Sequence, residues 1–133
     1  MTSLREISFL RIALLIDAVA SGMTAVLLVA GADVLRDWLG LPVVLMREAG
    51  LILVAYVAFV VIVATRVQIS TGAVWAIIAC NALWAIASVA IIETGMVAPT
   101  MLGAVFVVGQ ALAVLALGGL QFFALRRPQA LLA

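Results

Sequence analysis

Asp17, Ser21, Asn81, Trp84, Gln110 and Gln121 are side chains able to trade hydrogen bonds that stand inside apolar runs of this sequence. Only one of them carries a charge. Asp17 interrupts RIALLIDAVASGMTAVLLVAG, residues 11–31, which otherwise reads as a lipid-soluble helix. An intramembrane acid has two uses. It can carry a proton or bind a cationic solute, or it can be a structural group held by hydrogen bonds. Gln121, Ser21 or a nearby arginine such as Arg66 or Arg126 are the expected partners in the structural case. A modest depth and the closeness of those arginines favour structure. For Asn81 and Gln110 the expectation is interhelical glue, worth about 0.6 kcal/mol per amide. The alternative is a polar lining for a solute path. Trp84 follows Asn81 by three positions, where it packs the core or shapes a cavity.

Other chemistry lacks its residues. There is no His, and the single thiol, Cys80, lies in an apolar stretch, so no imidazole or thiolate metal site can be assembled. No Ser-His-Asp set and no glycine-rich phosphate loop is present, and Gly118-Gly119 falls inside a helix. The expectation is a protein that is not an enzyme and needs no cofactor. A formal net charge of +1 gives no basic face for nucleic acid.

The elements that must position these groups follow from composition. The chain has 133 residues, 68% of them hydrophobic and 10% charged, with mean hydropathy +1.42. Soluble domains average about 45–50% apolar and about 25% charged residues. A helix needs roughly 20 apolar residues to cross about 30 Å of hydrocarbon. Four segments meet that length: 12–32, 47–65, 73–92 and 100–124, the second beginning as early as Pro42, a residue suited to a first helical turn. The fold class is therefore all-α: a polytopic four-helix membrane bundle, read as one integral membrane domain over 1–133. The apolar run ahead of Asp17 is too short for a signal-peptide core, so the first helix is expected to be retained.

Between the first two spans, DVLRDWLGL sets Val34, Leu35, Trp38 and Leu39 on one side and Asp33, Arg36 and Asp37 on the other. This spacing predicts a short interfacial helix over 33–40, with Trp38 at headgroup level. Arg5, Arg11, Arg66, Arg126 and Arg127 fall on one side of the bilayer, and Arg36 and Arg47 on the other. The positive-inside rule then places both termini in the cytoplasm of a bacterial-type inner membrane.

Depth sorts the polar residues into layers. Asp17 lies about 7–8 Å inside the cytoplasmic face, counted at 1.5 Å per residue. Gln121 lies level with it, Asn81 and Gln110 near the midplane, and Arg47, Glu48 and Glu93 at the outer boundary, with partners expected within a layer. Glu93 with Arg47 or Arg36 reads as an outer ion pair, and Glu48 beside Arg47 as a similar feature. Three stripes are expected to face inward: Ala13, Asp17, Ser21 and Thr24; Asn81, Ala85 and Ser88; and Gly103, Phe106, Gln110, Ala113, Leu117 and Gln121. An offset of 64 also aligns Asp17-Ala18 with Asn81-Ala82 and Gly31 with Gly95, a faint parallel repeat.

In size, span number and the acid in its first helix the chain resembles small multidrug-resistance transporters. That family's acid is a Glu in a different local pattern, its chains are shorter, and nothing around IDAVASG matches it, so no family is assigned. Two functions are expected. The first is a structural or accessory subunit in the lipid bilayer that packs with itself or another membrane protein. The second is a small oligomeric transporter or channel using Asp17 as a protonatable or cation-binding site. The topology is testable in a Cys80→Ser background: a cysteine at Gln129 should react only with reagent on the cytoplasmic side, and labelling from the periplasm alone refutes the arrangement.

Overall fold

Long runs of Leu, Val, Ile and Ala without internal proline close their own backbone hydrogen bonds, as hydrocarbon requires of any spanning segment. The computed structural model describes residues 2–126, with side chains over 9–126. Arg127, Pro128 and the rest of the tail, and the side chain of Arg5, lie outside the described residues. Five helices follow in order: α1 (Thr2–Ala30), α2 (Ala32–Leu39), α3 (Val43–Thr65), α4 (Thr71–Glu93) and α5 (Met101–Leu125). All but α2 contain a stretch long and apolar enough to cross a membrane.

The ends of the helices have local causes. Pro42, extended at φ −61° and ψ 138°, starts α3, as its place in the sequence suggested. Ser70 caps α4 by accepting from the Ala73 N–H at 3.2 Å, and Thr100 caps α5 by accepting from the Gly103 N–H at 3.0 Å. Gly40, at φ 69°, closes α2 in the left-handed conformation that favours glycine. At the other end of α3, the Arg11 guanidinium donates to the carbonyls of Ala64 and Arg66, which have no partner within the helix. The α4 and α5 boundaries agree with expectation within two residues. α1 differs: it begins ten residues before position 12, and its apolar segment starts at Phe9.

The helices associate as two hairpins. α1 packs along α3, α4 packs along α5, and α1 also touches α5. α3 and α4 barely meet, and a cleft opens between them. One apolar core gathers Ala25, Leu28, Met46, Leu53 and Val107, and a second gathers Leu14, Val60, Val74 and Ile77. Outward, Val19, Met23, Val26, Leu83, Ile86 and Leu112 are each more than three-fifths exposed. Such a surface is a liability in water and suits lipid tails.

α2 forms where the alternation placed a short helix. Its apolar side is divided: Leu39 is buried and Leu35 packs against the core, whereas Val34 and Trp38 stay exposed. Its end is tied to the head of α5. Thr100 donates through Oγ1 to the Trp38 carbonyl at 2.7 Å and through its N–H to the Leu39 carbonyl at 3.0 Å. Gly103 allows this approach, because a Cβ there would run into the Leu39 carbonyl oxygen. Gly103→Ala should therefore cost about 2 kcal/mol or more, since backbone has to shift, while Gly109→Ala, facing open space, should stay within about 0.5 kcal/mol. Thermal unfolding of both variants in detergent checks this, and equal melting temperatures would refute it.

Candidate functional site: a buried carboxylate shared by four helices

Asp17 is completely buried. Ser21, one turn along α1, donates its hydroxyl to Oδ1 at 3.1 Å. The other oxygen, Oδ2, takes Tyr56 Oη from α3 at 2.7 Å, Asn81 Nδ2 from α4 at 3.1 Å and Gln121 Nε2 from α5 at 2.7 Å. Asn81 Nδ2 also reaches Gln121 Oε1 at 3.3 Å. All four long helices thus meet at one carboxyl group. An ionised carboxylate can only accept hydrogen bonds, and each of these four contacts comes from a donor. Such contacts replace the water that a carboxylate loses on burial.

Side-chain types dictate this convergence. On α1 the positions Ala13, Asp17 and Ser21 recur every four residues and are all buried, so the acid and its hydroxyl partner share the inward stripe. On α4, Asn81 and Ala85 are buried as expected, and Ser88 is half-buried. α5 is turned from its expected face. The buried set is Gly103, Val107, Ala111, Gly118, Gln121 and Ala124, while Phe106, Gln110 and Leu117 are half-buried and Ala113 is exposed. The small residues decide it: Gly118 lets α5 close on Asn81, where a Cβ would stand 3.4 Å from the Asn81 Cβ.

A second polar knot ties α4 to α5. Trp84 Nε1 donates to Gln110 Oε1 at 2.7 Å, and Gln110 Nε2 donates to Ser88 Oγ at 3.0 Å and to the Val107 carbonyl at 2.9 Å. Ser88 donates in turn to the Trp84 carbonyl at 2.7 Å. These bonds occupy the polar groups of Gln110, the midplane role expected of an interhelical amide.

Several expectations need correction. Layering grouped Asn81 with Gln110, but Asn81 bonds to Asp17 and Gln121 instead. The apolar part of α1 starts at Phe9, so Asp17 sits about 12 Å along it, close to the roughly 15 Å of Asn81 along α4. Among the described residues no arginine bonds to Asp17; Arg66 and Arg126 lie beyond the helix ends, and the phenol of Tyr56 fills that role. Sequence reading missed Tyr56. Its signal was available: it is the chain's one tyrosine, set in LILVAYVAFVVIV, where a phenolic hydroxyl needs a partner. At the other end Arg47 pairs with Asp33 at 2.6 Å, not with Glu93, because α2 lies over the start of α3 while α4 stands apart from it. Arg36 pairs with its neighbour Asp37 at 3.5 Å. Among the described residues Glu48 and Glu93 make no ion pair. The two residues aligned by the 64-residue offset, Asp17 and Asn81, do face each other, each on the first helix of its hairpin.

The cleft between α3 and α4, about 640 Å³, ends on this cluster: Ser21, Tyr56, Asn81 and Trp84 are among its lining residues. Asp17 itself is not. No group of His, Cys, Asp and Glu suited to a metal ion occurs among the described residues. Compared with known protein families, characterised proteins and solved structures, the chain matches none. Fold and site together define a small all-helical protein with four helices apolar enough to span a membrane.

Asp17→Asn should fold with a loss of about 1 kcal/mol, because its amide oxygen can keep the Oδ2 donors and its amide nitrogen can donate to Ser21 Oγ. Asp17→Leu takes the acceptor from all four donors and should cost about 3 kcal/mol or more. Tyr56→Phe, losing one charge-assisted bond, should cost about 1.5–3 kcal/mol. Denaturation in mixed micelles ranks the three variants. Equal stability of the Asn and Leu variants would show that the cluster does not hold the bundle.

Proposed function

We propose that this chain is a small multi-pass membrane protein of a bacterial-type inner membrane, with both termini cytoplasmic. It works without enzymatic chemistry, as a structural or accessory subunit that packs with itself or with another membrane protein. One observation carries the reading: the acid that could serve transport is fully buried and ringed by donors from its own chain. What the bundle offers outward is apolar helix surface with small residues in it, among them the exposed Gly109 and Gly119. Surfaces of that kind let helices of different subunits approach closely. In this reading α2 lies at the outer headgroup level, with exposed Trp38 toward the interface.

A second reading rests on the cleft. Three of the four groups bonded to Asp17 also line it, which supports a small oligomeric transporter that reaches the acid from between α3 and α4. The two readings part on flux and on mass. Crosslinking in native membranes and light scattering of the purified protein should reveal a stable assembly, and reconstituted vesicles should show no pH-dependent solute flux. A monomer in both experiments, or proton-coupled flux that the folded Asp17→Asn variant lacks, would overturn the accessory reading.

A further inference from the structure

The hydrogen count around Asp17 leaves one acceptor short. Tyr56 carries a single hydroxyl proton and faces two acceptors, Asp17 Oδ2 at 2.7 Å and Asn81 Oδ1 at 3.1 Å. The shorter contact and the stronger acceptor are the same one, so the proton goes to the carboxylate. The Asn81 amide cannot turn to help, because its Nδ2 is held by Asp17 Oδ2 and Gln121 Oε1, both acceptors. Asn81 is 3% exposed, and its buried carbonyl oxygen keeps only the longer contact to a hydroxyl whose one proton is already engaged. Such an orphan is costly and calls for a partner.

Its position says where the partner comes from. Nδ2 points toward α1 and α5, whereas Oδ1 points toward Tyr56 on α3, the side on which the α3–α4 cleft lies. The cleft volume of about 640 Å³ falls within the roughly 300–1,000 Å³ usual for small-molecule sites. Its wall combines apolar Ile52 and Leu83 with the rings of Tyr56, Phe59 and Trp84. Asn81 is ten residues along α4, about 15 Å from its start and so near the midplane of a bilayer, too deep for a lipid headgroup. We propose that the α3–α4 cleft binds a compact, lipid-soluble phenol, whose hydroxyl donates to Asn81 Oδ1 while its ring lies among the aromatic side chains. This site goes beyond the accessory role and stands whether or not the chain assembles with a partner.

Trp84 lines the cleft and reports on it. A chain carrying Trp38→Phe and Trp75→Phe keeps Trp84 as its one tryptophan, excited apart from Tyr56 at the red edge, and vesicles of phosphatidylcholine supply no competing hydroxyl. 4-Bromophenol should quench Trp84 saturably, with apparent affinity about tenfold above that of 4-bromoanisole, which has the same ring and no donor. Adding Ala87→Phe, which fills the cleft without touching the polar cluster, should return the phenol to linear, partition-only quenching. Equal quenching by the phenol and the anisole overturns the proposal. So does phenol quenching that survives the Ala87→Phe substitution in a folded protein. If that variant does not fold, the phenol–anisole contrast in the parent chain decides alone.

Discussion

A carboxylate out of reach of water must find its hydrogen bonds in the protein, and the arrangement of this molecule follows from that need at Asp17. The donors come from Ser21 on its own helix and from Tyr56, Asn81 and Gln121 on the other three long helices. Apolar packing alone would leave helices in lipid free to slide or rotate, because hydrocarbon tails compete equally well for the same surfaces. Directional bonds to one oxygen do not allow this. Once Asp17 is placed, the axial register and the rotation of α3, α4 and α5 are set relative to α1.

The remaining contacts fasten the bundle on either side of that point. Trp84, Ser88 and Gln110 hold α4 to α5 farther along the hairpin, and Thr100 ties α5 to the end of α2. Arg47 and Asp33 tie α2 to α3. Between α3 and α4 there is no comparable tie: the Tyr56 hydroxyl stands 3.1 Å from Asn81 Oδ1 across the gap, but its proton goes to Asp17. The cleft is thus the place where the chain's own bonds run out. It is also where a foreign molecule would find both space and an unmatched acceptor.

The proposed accessory role rests on this division. A polar cluster bonded inward holds the four helices together and offers little to solvent, which suits a subunit whose purpose is met by its shape and its outer faces. The cleft adds an opening for something lipid-soluble, lined by aromatic rings and reaching as far as the donors of the acid but not the acid itself.

Much of the architecture was readable from residue order. Helix number, the starts at Pro42 and Thr100, the short α2 and the inward stripe of Asp17 and Ser21 all depend on neighbours within a few positions, where apolar periodicity and capping chemistry act. The partnership of Asp17 with Gln121 was also anticipated, because a polar group in lipid must seek another. Residue order could not supply what depends on how helices stand against one another. The turn of α5 that buries Ala111 and Gly118, the level of Asn81, and the choice of Asp33 over Glu93 for Arg47 are such features. Tyr56 shows the reason most directly. In sequence it is one aromatic residue in an apolar run, and only the packing of α3 along α1 brings its hydroxyl, 39 positions away, onto the carboxylate of Asp17.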